Sequence, residues 1–96
     1  MGMHVGIVGS DIIAQRIIGL ILSRDKAVSG IYCYDLDSTA LERLQAQAPT
    51  RLTISVDPVA FLDRGLDVIF VTTPSFMHGE LVLGAVQRGI PFYLHT

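Results

Sequence analysis

The stretch Val5-Gly6-Ile7-Val8-Gly9-Ser10-Asp11-Ile12-Ile13-Ala14 decides how the rest of the chain is read. Val and Ile run into Gly9, and apolar residues then recur at helical spacing: Ile13, Ile17 and Ile21, with Ala14, Ile18 and Leu22 beside them. A strand, a glycine turn and a helix in that order meet the requirement of the G-x-G-x-x-G/A fingerprint of a dinucleotide-binding turn. In register, Gly9 is the first glycine and Ala14 the small third position, while Asp11 stands where the second glycine belongs. That second glycine lets the backbone approach a pyrophosphate closely. An aspartate there adds a side chain and a negative charge where the ligand's own charge would lie.

Working outward, strand-like runs at about 3–8, 28–34, 51–55, 67–72 and 91–95 alternate with helical patterns, joined by short connections carrying Gly, Pro or Asp. The alternation predicts an α/β fold, a Rossmann-like doubly wound parallel sheet of about five strands. The first helix presents a wide apolar face to the sheet. A second helix fits Thr39 to Ala48, with Asp37 or Ser38 as N-cap, Leu41 and Leu44 facing inward and Pro49 ending it. Asp57-Pro58 opens a short helical turn that buries Phe61 and Leu62 and stops at Gly65. The fourth helix is expected from near Ser75 to Gly89, with Leu81, Val82, Ala85 and Val86 as its packing stripe and Gly89 as a left-handed C′ residue. Pro91 stands near the start of the last strand, where a missing N–H is tolerated. A complete six-stranded dinucleotide fold needs a further helix and strand, so the chain is expected to be one domain, residues 1–96, truncated before the last strand and a substrate domain.

Composition narrows the function classes. The chain has 96 residues, half of them apolar, and a formal charge of −2. With Lys26 as its single lysine there is no basic face to track a phosphate backbone, so nucleic-acid binding is disfavoured. A lone cysteine forms no internal disulfide, and Cys33 lies in the apolar run Ile31-Tyr32-Cys33-Tyr34, where a buried small hydrophobe is expected over a reactive thiol. No apolar run reaches the roughly 18 residues of a membrane span, and no cleavable leader is visible, which predicts a soluble cytoplasmic protein without a membrane partner.

Three places carry candidate chemistry. Gly9, Ser10, Ile12 and Ile13 form a turn feeding a helix N-terminus, whose free N–H groups and partial positive charge suit an anion. Asp35 ends the second strand at about the 20-residue offset at which an acidic residue accepts hydrogen bonds from an adenosine ribose, and its charge favours NAD over NADP. Capping of the following helix is the other reading of Asp35, and the expected role of Asp37. The third place is Val68-Ile69-Phe70-Val71-Thr72-Thr73-Pro74-Ser75-Phe76-Met77-His78-Gly79-Glu80-Leu81.

That segment, a buried strand ending in Thr-Thr-Pro-Ser with His78 three residues on, resembles the glucose-fructose oxidoreductase / inositol dehydrogenase (Gfo/Idh/MocA) family. Val5 to Gly9, Asp35 and Ala85-Val86-Gln87-Arg88-Gly89 also match that family's N-terminal NAD(P)-binding domain, so the resemblance covers nearly the whole chain. It implies an oxidoreductase that transfers hydride to or from a sugar or cyclitol-like substrate. It places Thr72, Thr73, Pro74 and Ser75 along the nicotinamide ribose, with His78 either beside them or hydrogen-bonded locally. The family's Glu-Lys-Pro motif would fall at His95 and Thr96, which match neither its glutamate nor its lysine. No catalytic residue is therefore assigned within the chain, which alone is expected to be inactive. A non-catalytic sensor or assembly subunit, and a mononucleotide or anion module, are the competing readings.

Asp11 bears on all three. At an effective dielectric of ~20 and ~5 Å, each pair of like charges costs about 3 kcal/mol, and a pyrophosphate carries two. Asp is also a preferred N-cap, contributing ~1 kcal/mol by accepting an N–H two or three positions on. It is expected to fill the amides a phosphate would use, lowering dinucleotide affinity. An open sheet edge and an uncovered apolar face further predict a homo-oligomer, in the simplest case a dimer.

Overall fold

In a computed structural model the described residues form a five-stranded parallel sheet flanked by four helices. The structure describes residues 2–24, 28–35, 37–46, 52–72 and 79–94. The elements run β1 (Met3–Val8), α1 (Ile12–Arg24), β2 (Val28–Tyr34), α2 (Ser38–Gln45), β3 (Leu52–Ser55), α3 (Pro58–Leu62), β4 (Val68–Val71), α4 (Gly79–Gln87) and β5 (Phe92–Leu94). Strand order is β3-β2-β1-β4-β5, with every pairing parallel. The doubly wound sheet expected from the β/α alternation is therefore present.

Parallel strands joined by right-handed crossovers put successive helices on the sheet's faces. One core cluster joins Val5 and Ile7 of β1 to Ala14 and Ile18 of α1 and to Leu41 and Leu44 of α2. The other joins Val8 to Phe61 and Leu62 of α3 and to Leu81 and Ala85 of α4. Alternation along β1 thus feeds both faces, and its last four residues are all buried. Gly6 faces α3: a Cβ there would lie 2.7 Å from Leu66 Cδ1 and 2.8 Å from Phe61 Cζ, so only glycine lets the helix settle.

Local signals set most element ends. Asp37 caps α2 by accepting the Ala40 N–H, and Asp57 caps α3 by accepting the Val59 N–H, with Pro58 at the first helical position. Gly65 and Gly89 adopt positive φ, 73° and 68°, where an L side chain is strained. Three expectations need correction. Helix α2 ends at Gln45 with Ala46 as C-cap, three residues short of Ala48, and Pro49 lies outside the described residues. The strand expected from residue 91 begins at Phe92. Val86 is not in the packing stripe of α4 but 59% exposed. The buried line of that helix is Leu81, Gly84 and Ala85, because α3 presses so close that a Cβ on Gly84 would lie 2.5 Å from Leu62 Cδ1. The expected start of α4 near Ser75 lies outside the described residues.

Among the described residues no helix covers β4 and β5 on the α1 side. There Met3, Val5, Ile17, Ile21, Val68 and Phe70 line an open apolar groove, which is why Ile17 and Ile21 are only partly buried. No helix among the described residues is long and apolar enough to cross a membrane.

The two kinds of glycine environment give opposite expectations. Gly6→Ala should lower stability by about 1–3 kcal/mol through overpacking. Gly19→Ala, in an exposed α1 position where a Cβ meets nothing within 4 Å, should raise it by about 0.5–1 kcal/mol. Urea unfolding followed by circular dichroism measures both, and a neutral Gly6→Ala would contradict the packing described.

Candidate functional site

The carboxyl ends of β1, β2 and β4 meet in register, Val8 beside Tyr34 on one side and beside Val71 on the other. From β1 the chain winds outward to β2 and β3, then crosses back to β4 and β5. The gap between β1 and β4 is therefore the topological switch point, where open α/β sheets bind ligands.

Gly9 leaves β1 with φ of 125°, a conformation that favours glycine. Its N–H donates to the Tyr34 carbonyl at 2.8 Å. The Val8 carbonyl accepts from the Thr72 N–H at 2.9 Å and from the Thr72 hydroxyl at 3.1 Å. The turn is thus clamped between its two neighbours, and the buried Thr72 hydroxyl, expected at the cofactor, holds the clamp.

Ser10 and Asp35, distant in sequence, are joined directly: the Ser10 hydroxyl donates to Asp35 Oδ2 at 2.8 Å. Asp35 Oδ1 accepts the Asp37 N–H at 3.0 Å, and the Asp35 N–H points to the Ser55 carbonyl at 3.4 Å. The carboxylate is only half-buried, held with one oxygen toward the turn. Capping of α2 falls to Asp37, so Asp35 is not the cap.

Asp11 does cap α1. Its Oδ1 accepts the Ala14 N–H at 2.9 Å, and its carbonyl accepts the Gln15 N–H at 3.0 Å. Ile12 beside it is 62% exposed and Ile13 half-buried. Burial, with the Asp35, Asp57 and Glu80 carboxylates adding, pushes the nearby Tyr34 phenol up.

The structure therefore brings Gly9, Ser10, Asp11, Ile12, Ile13, Asp35 and Thr72 to one end of the sheet. Thr73, Pro74, Ser75 and His78 lie outside the described residues, as do His95 and Thr96. Sequence spacing offered Ser10 and Asp35 separately as ligand contacts and missed their bond to each other. It also missed the Val8–Thr72 clamp, whose only sequence signal is a hydroxyl residue at the end of β4. Among the described residues no cluster of His, Cys, Asp or Glu is arranged to hold a metal.

With this geometry in place, solved structures supply the comparison. The chain superposes on myo-inositol dehydrogenase from Lactobacillus casei, solved with NAD(H) and myo-inositol, at a TM-score of 0.83 and 19% identity, covering 98% of this chain and 28% of that one. Myo-inositol dehydrogenase from Corynebacterium glutamicum gives 0.80 and 20% over 98% and 28%. This chain thus shares their Rossmann-like fold. The inositol dehydrogenases belong to the Gfo/Idh/MocA family that the sequence resembles. A 3-ketoreductase from Actinomadura kijaniata, solved with TDP-benzene and NADP, gives 0.75 and 20% over 98% and 30%. The chain thus spans less than a third of the length of each of these proteins. No family model and no curated protein sequence matches it.

Cys33 is excluded from this chemistry. It is fully buried in β2 within the cluster under α1 and α2, and burial pushes its thiol from 9.0 to about 12. At pH 8 the native thiol should therefore react with a disulfide reagent about a thousandfold more slowly than the urea-unfolded chain. Rapid stoichiometric labelling of the folded protein would contradict this.

Proposed function

We propose that this chain is the nucleotide-binding domain of an NAD(P)-dependent oxidoreductase acting on a sugar or cyclitol-like substrate. The carrying observation is the meeting of the Gly9 turn, the first turn of α1 and the Asp35 carboxylate at the switch point of the sheet. The fold shared with inositol dehydrogenases, one of them solved with NAD(H), supports it. A bound nicotinamide cofactor supplies the hydride chemistry, and the protein's part is to bind and orient it. In this reading Asp35 takes the adenosine ribose, and Gly9, Ser10, Ile12 and Ile13 shape the phosphate side. The family resemblance assigns Thr72, Thr73, Pro74, Ser75 and His78 to the nicotinamide end. Asp35 favours NAD, because a 2′-phosphate would meet its negative charge. No catalytic residue is assigned within this chain, and a small-molecule substrate belongs to this reading only if a downstream domain exists.

The residues present fit the two ends of a dinucleotide unequally. At Asp35 a ribose hydroxyl would replace the Ser10 hydroxyl like for like. At Asp11 a carboxylate already occupies an amide of the helix start. That contact favours, as a second reading, a non-catalytic sensor or assembly subunit with weakened dinucleotide binding.

Titration of the protein with NADH, NADPH and AMP separates the readings. NADH is expected to bind more tightly than NADPH. Asp35→Ala should raise the NADH dissociation constant at least tenfold, about 1.4 kcal/mol, and abolish the preference. An unchanged affinity and preference would overturn the ribose role, and AMP binding as well as NADH would favour a mononucleotide module.

The open groove beside α1 and the outer edge of β5, where Tyr93 and Leu94 are 61% and 47% exposed, support self-association as a dimer. Sedimentation velocity at rising concentration should show it, whereas a clean monomer at high concentration would refute it.

A further inference from the structure

We infer that Asp11 sets the ligand specificity of the turn: its charge selects against the pyrophosphate of a dinucleotide while leaving the adenosine end of the site untouched. The inference rests on the dinucleotide reading above and goes on from it to name a residue that tunes that binding.

Two observations carry it. Asp11 Oδ1 accepts the N–H of Ala14, the third residue of α1, at 2.9 Å. The carboxylate therefore holds one of the free amides that a helix start offers an anion. Asp35, by contrast, presents its Oδ2 to a neutral hydroxyl, that of Ser10, at 2.8 Å.

The two ends of the site therefore differ in what a ligand must displace. A ribose exchanges one hydroxyl donor for another at Asp35 and leaves the charge balance unchanged. A pyrophosphate must dislodge a bound carboxylate and then remain near it, because Asp11 is exposed but tethered to the turn. Swinging Asp11 aside removes the helix cap without removing the charge. Nucleosides are thus tolerated and dinucleotides are penalised, and the penalty is electrostatic before it is steric.

Two substitutions separate charge from bulk. Asn is as good an N-cap as Asp, so Asp11→Asn keeps the amide contact and removes the charge, whereas Asp11→Gly removes both. NADH, ADP-ribose and adenosine are titrated into the wild-type chain and both variants, with melting temperatures recorded alongside. Asp11→Asn should tighten NADH and ADP-ribose at least tenfold, leave adenosine within twofold, and keep the wild-type melting temperature. Asp11→Gly should tighten NADH at least as much at a lower melting temperature. If NADH and adenosine bind but their affinity ratio is the same in all three proteins, the inference is overturned while the dinucleotide reading stands. A gain confined to Asp11→Gly would also overturn it, by showing bulk rather than charge to be the obstacle. If none of the three proteins binds NADH, ADP-ribose or adenosine, the dinucleotide reading fails and takes the inference with it.

Discussion

Everything at the carboxyl end of the sheet depends on how β1 is held between β2 and β4. Its last carbonyl, that of Val8, accepts both the N–H and the hydroxyl of Thr72, and the next N–H, that of Gly9, goes to Tyr34. The turn therefore cannot shift toward one neighbour without breaking bonds to the other. A buried backbone group left unpaired costs about as much as a lost hydrogen bond, so this arrangement resists displacement. The same constraint reaches into the core: Gly6 lets Phe61 and Leu66 approach β1, and this contact helps anchor α3, the helix of the crossover that returns the chain to β4. A switch point exists only because that crossover runs back past β1, so a side chain missing at position 6 helps place a turn three residues later.

Much of the fold was legible because its signals are local. Cap residues and glycines announce themselves within four residues, and Asp37, Asp57-Pro58, Gly65 and Gly89 all stand where their chemistry requires. The strands were legible because β-branched runs bounded by turn residues leave few alternatives. The misplaced features are those decided by tertiary contact. Val86 reads as a core residue by composition, yet the close approach of Leu62 to Gly84 rotates α4 so that Val86 faces outward. Helix α2 stops at Gln45, and the side-chain amide of that residue donates to the Leu52 carbonyl at the start of β3.

The candidate site was legible in membership and not in wiring. Gly9, Asp11 and Asp35 follow from a fingerprint whose spacing has a physical basis, and Asp11 was recognisable as both misfit and cap from its residue type alone. The Ser10–Asp35 bond was not, since nothing in a spacing rule tells a hydroxyl and a carboxylate that they face each other rather than a ligand. Thr72 shows the same limit from the other side. Its place at the end of β4 suggests a ligand contact, but a buried hydroxyl first satisfies whatever acceptor is in reach, and the Val8 carbonyl is in reach.

Asp11 and Asp35 illustrate how one residue type serves opposite ends of a binding problem. A ligand at concentration L stabilises a fold by RT ln(1 + L/Kd), and so only once L approaches its dissociation constant, whereas a helix cap contributes about 1 kcal/mol at all times. A glycine at position 11 would leave the start of α1 dependent on solvent until a phosphate arrived, and would favour the bound state by that difference. Aspartate reverses the balance: one amide of the helix start is already paired in the free protein, and any anion that approaches must compete with a tethered group whose effective concentration is high. Asp35 imposes no such competition, because its partner in the free protein, the Ser10 hydroxyl, is of the same kind as the hydroxyls of a ribose. The free domain thereby already holds an anionic group at the helix start and a neutral, exchangeable hydroxyl at the end of β2, an asymmetry that follows from charge and hydrogen-bond type.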